Sequence, residues 1–223
     1  MSHGVGLVTV VGGNVGSVRG ALRRLGVEPR TVATPAELAG CSRVILPGVG
    51  AFATVMRRLR ASGLDVALVD HARAGGSLLG ICVGMQVLAD TGDEGGPTAG
   101  LGLVPGHVRR LPDLGPPLPH IGWNQVVPRG STVLFTDPAP RDFYFVHAWA
   151  MEPDDPADVA AVCEHGRPFV AAVARGPVLG VQFHPEKSQR DGLALLARFV
   201  RPPAGATPPA TATATVGAAG PGA

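Results

Sequence analysis

Cys82 lies in the run Gly80-Ile81-Cys82-Val83-Gly84, between an apolar stretch that reads as a strand and one that reads as a helix. A nucleophile on a tight strand-to-helix turn needs small neighbours because the backbone is cramped there, and glycines stand on both sides of this cysteine. The N-terminus of the following helix favours the thiolate. The same turn aims the Val83 N–H at the place where an oxyanion would form. A buried structural cysteine fits the residue type equally well, and only the flanking glycines argue against it. A cysteine nucleophile needs a base, and the base needs a third group to orient it. His184 and Glu186, in Phe183-His184-Pro185-Glu186, offer both. Residues two apart in an extended segment project to one side, with the rigid Pro185 setting the final geometry. A surface histidine beside a solvated glutamate is the plain alternative, and a metal pair lacks a third ligand at a familiar spacing. The rival base, His147, has no carboxylate within four residues and reads as structural.

These residues need a scaffold, and the chain alternates short β-branched runs with amphipathic stretches through its first half. Val5–Val11, Arg30–Ala33, Arg43–Leu46 and Ser77–Ile81 read as strands. Helices are expected from Asn14 or Ser17 through Leu25, from Phe52 onward, and over Val83–Ala89. That alternation predicts βαβ units on a parallel sheet. Strands dominate from Leu103 to Phe183, and a closing helix over Leu193–Val200 turns Leu193, Leu196, Phe199 and Val200 inward. Pro47-Gly48-Val49-Gly50 directly follows a strand. Its glycines allow positive φ and let backbone N–H groups face a ligand. Alone it reads as an ordinary turn, but at the C-terminal edge of a parallel strand it stands where open α/β sheets bind ligands.

Taken together, Gly80-Ile81-Cys82-Val83-Gly84-Met85-Gln86 and Gly180-Val181-Gln182-Phe183-His184-Pro185-Glu186-Lys187-Ser188 resemble the class I glutamine amidotransferases. Within that class, further segments resemble the glutaminase subunits of imidazole glycerol phosphate synthases. They are Pro47-Gly48-Val49-Gly50-Ala51-Phe52, Pro119-His120-Ile121-Gly122-Trp123-Asn124-Gln125-Val126, Tyr144-Phe145-Val146-His147, Gly100-Leu101-Gly102-Leu103, and Gly13-Asn14 with Ser17-Val18. The likeness spans roughly residues 5 to 200. It implies a flavodoxin-like α/β fold: an open mixed, largely parallel sheet flanked by helices, with added antiparallel strands. It also implies a triad of Cys82, His184 and Glu186 that releases ammonia from glutamine through a thioester. Val83 and the Val49–Gly50 peptide would form the oxyanion hole, and Gly48, Gln86 and Glu94 would hold the glutamine. Asn14, Trp123 and Lys187 would lie at the interface with a cyclase subunit that consumes the ammonia in histidine biosynthesis. No metal and no cofactor is implied. Two alternatives stay open: a glutaminase of another pathway, such as the vitamin B6 synthase type, and a catalytically silent regulatory subunit. The chain also departs from the pattern. Thr9-Val10-Val11 stands where many relatives carry Asp-Tyr-Gly, and Ala148-Trp149 where Ser or Thr then Tyr is usual.

Composition narrows the partners. The 223 residues carry 19 Lys and Arg against 17 Asp and Glu, a net charge of +2, which argues against a nucleic-acid footprint. No apolar run approaches the ~18 residues of a membrane span. The first basic residue is Arg19, behind the apolar run at Val5–Val11, so no positive leader segment is read and a cytoplasmic protein is expected. Three cysteines without knuckle spacing fit a reducing compartment. Gly 32 and Pro 22 make up about a quarter of the chain, near the composition of disordered segments. Nine of these 54 residues fall in 201–223, a stretch of almost only Ala, Pro, Thr and Gly. Such a stretch cannot bury enough apolar surface to offset its ordering entropy, so a disordered tail is expected behind one domain of residues 1–200.

Overall fold

The structure is a computed structural model and describes residues 4–113 and 115–201. The expected tail, from Pro202 onward, lies outside the described residues. The elements run in order as β1 (Gly4–Val8), α1 (Val15–Arg24), β2 (Arg30–Val32), α2 (Pro35–Leu38), β3 (Cys41–Gly48), α3 (Phe52–Ser62) and α4 (Leu64–Arg73). Next come β4 (Ser77–Cys82), α5 (Val83–Gln86), β5 (Thr91–Gly92), β6 (Thr98–Ala99), β7 (Gly106–Arg110) and β8 (His120–Pro128). The chain continues through β9 (Arg141–His147), β10 (Trp149–Pro153), β11 (Val159–His165), β12 (Arg167–Arg175) and β13 (Val178–Val181), and ends in α6 (Gln189–Val200).

Nine strands form one sheet in the order β2-β1-β3-β4-β13-β12-β11-β8-β9. The β2-β1-β3-β4-β13 half is parallel, and the strands beyond β13 pair antiparallel. The expected mixed sheet with added antiparallel strands is therefore what the chain builds, with four parallel and four antiparallel pairings. Four strands make a second small sheet, β10-β7-β5-β6. Because strands β1, β3, β4 and β13 are covered on both faces, they read as near-continuous apolar runs. Leu7, Val8, Val44, Ile45, Leu46, Leu78, Leu79, Ile81 and Val181 are all buried.

The differences from the sequence reading have local causes. The first strand ends at Val8, not Val11, because Gly12 and Gly13 adopt φ of +75° and +83° and turn the chain. Helix α4 was not expected; exposed Val66 blurs the inward spacing of Leu64, Leu68 and Ala72. Gly63, at φ +72°, ends α3 and starts α4 in one residue, as a left-handed glycine does. Helix α5 stops at Gln86 short of the expected Ala89, because the carbonyls of Val87, Leu88 and Ala89 accept from the amides of Leu101, Leu103 and Gly102. The last helix begins four residues early, at Gln189, and buries Leu195 alongside Leu196, Phe199 and Val200, with Leu193 only partly covered.

Candidate active site

Strand β4 runs directly into α5, and the join is Cys82, held at φ +56° and ψ −115°. A non-glycine residue in that region is strained, and such strain is held only where packing over-determines it. The packing is glycine on glycine. A Cβ on Gly80 would overlap the Gly84 carbonyl, and one on Gly84 would overlap the Leu46 carbonyl. A Cβ on Gly48 would stand 2.5 Å from the Gly84 nitrogen. Gly48, Pro47 and Leu46 pair in register with Cys82, Ile81 and Gly80. The strand ends therefore clamp the turn and push the thiol out of the sheet edge. As the first residue of α5, Val83 has an N–H with no intrahelical acceptor, available to an oxyanion beside Cys82.

His184 reaches the same spot from the far end of β13. Its side chain is fully buried, and Nδ1 donates to Glu186 Oε1 at 2.8 Å. The two are not neighbours on an extended strand as expected. A 3₁₀ turn over Pro185–Lys187, closed by Lys187 N–H to the His184 carbonyl at 3.0 Å, brings the carboxylate back to the ring. Asn14 Nδ2 donates to the same Oε1 at 2.6 Å, so its 3.2 Å separation from His184 Nδ1 is that of two donors sharing one acceptor. The other ring nitrogen, Nε2, is buried with no close partner and faces Cys82. Burial alone would hold the imidazole below its ordinary range. The interactions with Cys82 and then Glu186 outweigh it, and the ring is pushed up to about 9. These contacts favour the ring protonated on both nitrogens, which is the form that can protonate a leaving amine.

A cleft of about 190 Å³ opens over these groups, lined by Val49, Gly50, Cys82, Val83, Gln86, Glu94, Val146, His147, Ala148, Trp149 and His184. Of the residues expected to hold glutamine, Gln86 and Glu94 face it. Gly48 does not; it is the backbone contact beneath Gly84. Gln86 Oε1 is a buried acceptor without a donor, while its Nε2 donates to the Trp149 carbonyl at 2.8 Å. Glu94 Oε2 accepts from the Phe52 N–H at 3.1 Å, and burial pushes its carboxyl up. A substrate ammonium group would satisfy both acceptors. Gly50 has φ +91° and open space where a Cβ would stand, so its peptide is unencumbered. A larger cavity, about 460 Å³, lies between the two sheets, and no Cys, Ser or His lines it.

The three residues expected at an interface separate. Trp123 is 49% exposed, its ring 6.2 Å from that of Tyr144, over which Lys187 Nζ sits at 5.6 Å. Asn14 instead turns inward to the His184–Glu186 pair. His147 is buried and donates Nδ1–H to the Trp149 carbonyl at 2.9 Å. That bond leaves its Nε2 to accept from His120 Nδ1 at 3.2 Å, and His120 Nε2 in turn accepts from Asn124 at 3.3 Å. Every polar atom of this chain is matched only when both rings are neutral. Burial pushes His147 down to about 3, and burial with the charge of His165 pushes His120 down to about 4. In the unfolded chain both titrate near 6.5. The folded state therefore binds fewer protons between those values, and stability falls as pH drops below about 6.5, by roughly 2 kcal/mol for each ring from pH 7 to 5. NMR titration should find the His120 and His147 imidazoles neutral throughout pH 5–8; protonation of these two near 6.5 contradicts the assignment.

A family model for class-I glutamine amidotransferases matches residues 11–202, and the chain belongs to that family. It is 51% identical over 190 residues to the imidazole glycerol phosphate synthase subunit HisH of Symbiobacterium thermophilum, a match covering 85% of this chain and 89% of that protein. The protein of the same description from Xanthomonas oryzae pv. oryzae is 48% identical over 198 residues, covering 88% of this chain and 96% of its own. The chloroplastic imidazole glycerol phosphate synthase hisHF of Arabidopsis thaliana is 41% identical over 198 residues, 87% of this chain but 33% of that longer protein. Among solved structures, PurLQS from Thermotoga maritima superposes with a TM-score of 0.72 at 18% identity, covering 90% of this chain and 98% of that one. That likeness shows the shared fold.

Proposed function

We propose that this chain is the glutaminase subunit of an imidazole glycerol phosphate synthase, with Cys82, His184 and Glu186 as its triad. As a class-I glutamine amidotransferase it releases ammonia from the side-chain amide of glutamine. The observation that carries the residue assignment is the convergence of a strained cysteine and a buried His–Glu pair on one small cleft. Cys82 Sγ attacks the amide carbon, and the carbonyl π electrons move to oxygen as the C–S bond forms. Val83 N–H and the Val49–Gly50 peptide hold that oxyanion. When it collapses, the C–N bond breaks and His184 Nε2–H protonates the departing nitrogen, leaving a glutamyl thioester. A water molecule then gives its proton to His184 and attacks the thioester carbon. Glutamate leaves, and the thiolate–imidazolium pair is restored. Gln86 Oε1 and Glu94 hold the substrate ammonium group.

Support for the pathway comes from the relatives of 41–51% identity described as imidazole glycerol phosphate synthase or its HisH subunit. An exposed apolar face supports the partner. Ile121 and Trp123 on β8 stand opposite Val146 and Tyr144 on β9, and Val146 also lines the cleft. A cyclase docked there would lie next to the nascent ammonia. Reconstitution with the cyclase subunit tests the reading. Glutamine then supports product formation, and hydrolysis by the isolated chain is slower by about 10²–10³-fold, the worth of one oxyanion donor, because the Val49–Gly50 peptide turns its N–H to the oxyanion only with the cyclase docked. Equal rates with and without the cyclase favour a glutaminase of another pathway.

A further inference from the structure

We infer that Gln182 is a positioning residue for the nucleophile: its side-chain amide donates to Cys82 Sγ and biases the cysteine toward thiolate. Gln182 directly follows β13, two residues before His184, and is fully buried. Its Nε2 lies 3.7 Å from Cys82 Sγ, and its Oε1 accepts from Gln86 Nε2 at 3.0 Å. The direction of this chain is dictated by a group that cannot reverse. A backbone carbonyl only accepts, so the amide atom of Gln86 at 2.8 Å from the Trp149 carbonyl must be nitrogen. The second N–H on that nitrogen then faces Gln182, whose near atom must be oxygen. The remaining end, turned to the sulfur, is an NH₂ donor. Flipping Gln182 would set nitrogen against nitrogen at one end and a carbonyl oxygen against a thiolate at the other.

The same relay ties the nucleophile to the substrate. Gln86 spends both N–H bonds on Trp149 and Gln182, which leaves Oε1 as the buried acceptor at the cleft. Gln182 thus fixes the orientation of the residue read above as holding the glutamine ammonium group. It does so while supplying the sulfur with a second donor beside His184, from the same segment behind β13. A hydrogen bond to a charged acceptor is worth about 10–100-fold in the equilibrium between charged and neutral forms. Losing it should raise the pH midpoint of thiolate formation by about one unit or more.

The inference rests on the reading of Cys82 as nucleophile, and its test keeps the two apart. Q182L and Q182M retain the apolar bulk and lack the donor. In the full chain, alkylation of Cys82 by iodoacetamide is followed against pH by peptide mass spectrometry, and kcat and KM for glutamine are measured with the cyclase bound. Both variants should show the alkylation midpoint displaced upward, with kcat lowered about tenfold or more. A midpoint unchanged in variants that melt like the parent overturns the inference, as does a rise in KM alone. Should neither variant fold, the parent decides. Its Gln182 side-chain amide resonances should move with the titration of Cys82, and resonances flat across that titration refute the contact. C82A answers the separate question: if it keeps glutaminase activity, the nucleophile reading itself fails. If it is inactive while the titration is insensitive to Gln182, only the inference fails.

Discussion

Replacing Cys82 by alanine lowers glutamine hydrolysis by about 10⁴-fold or more while leaving the fold and the cyclase's use of free ammonia intact. The size follows from the chemistry. Without sulfur there is no thioester, and the remaining oxyanion donors and bound His184 act on a direct attack by water, which triad-deletion experiments in hydrolases place orders of magnitude lower. Stability changes little. Cys82 is almost fully buried and pinned at φ +56°, and that strain comes from Cβ, which alanine keeps. Steady-state rates with glutamine and with ammonium salts, taken on the same reconstituted preparation, separate the two activities. Glutamine-dependent turnover within tenfold of the parent would exclude Cys82 as the nucleophile.

Gly84→Ala removes the site by a different route. Gly84 is not in the left-handed region, so alanine fails there for lack of space alone. The added methyl would overlap the Leu46 carbonyl, a backbone atom in a central strand that is held in register with β4. Neither side can give without opening the β3–β4 pair. The expected destabilisation is about 3 kcal/mol, or roughly 6–12 °C in melting temperature for a chain of this size. Glutaminase activity should be lost even in whatever fraction folds. Gly16 and Gly20 in α1 provide the control, because nothing lies within 4 Å of a Cβ at either. Alanine there should be neutral or stabilising, by up to about 1 kcal/mol. A Gly84→Ala protein melting with the Gly16→Ala protein would show that the turn is not clamped as described.

The chemistry-bearing residues were legible because each is marked by its immediate neighbours: Cys82 by two glycines, and His184 by a proline and a glutamate. The alternation of apolar runs with helical stretches was enough for the parallel half of the sheet. What could not be read locally is support that exists only through packing. Asn14 reaches Glu186 across 172 positions of sequence, and Gln182 reaches Cys82 across 100. Neither position carries a signature of its own, and only the family resemblance gave Asn14 a role, at an interface. His120 and His147 form their neutral pair across two antiparallel strands whose register no single segment encodes. Glycine is the one residue type that signalled a tertiary contact from sequence, because close backbone approach excludes everything else at Gly80 and Gly84.

In the proposed function, ammonia made at Cys82 passes to a docked cyclase. The most direct test supplies the reconstituted pair with glutamine labelled with nitrogen-15 at the side-chain amide, in an excess of unlabelled ammonium. If the cleft delivers its ammonia to the partner across the exposed face of β8 and β9, the imidazole product carries the label well above its share of the total ammonia. Product labelled only in proportion to that pool would contradict the claim.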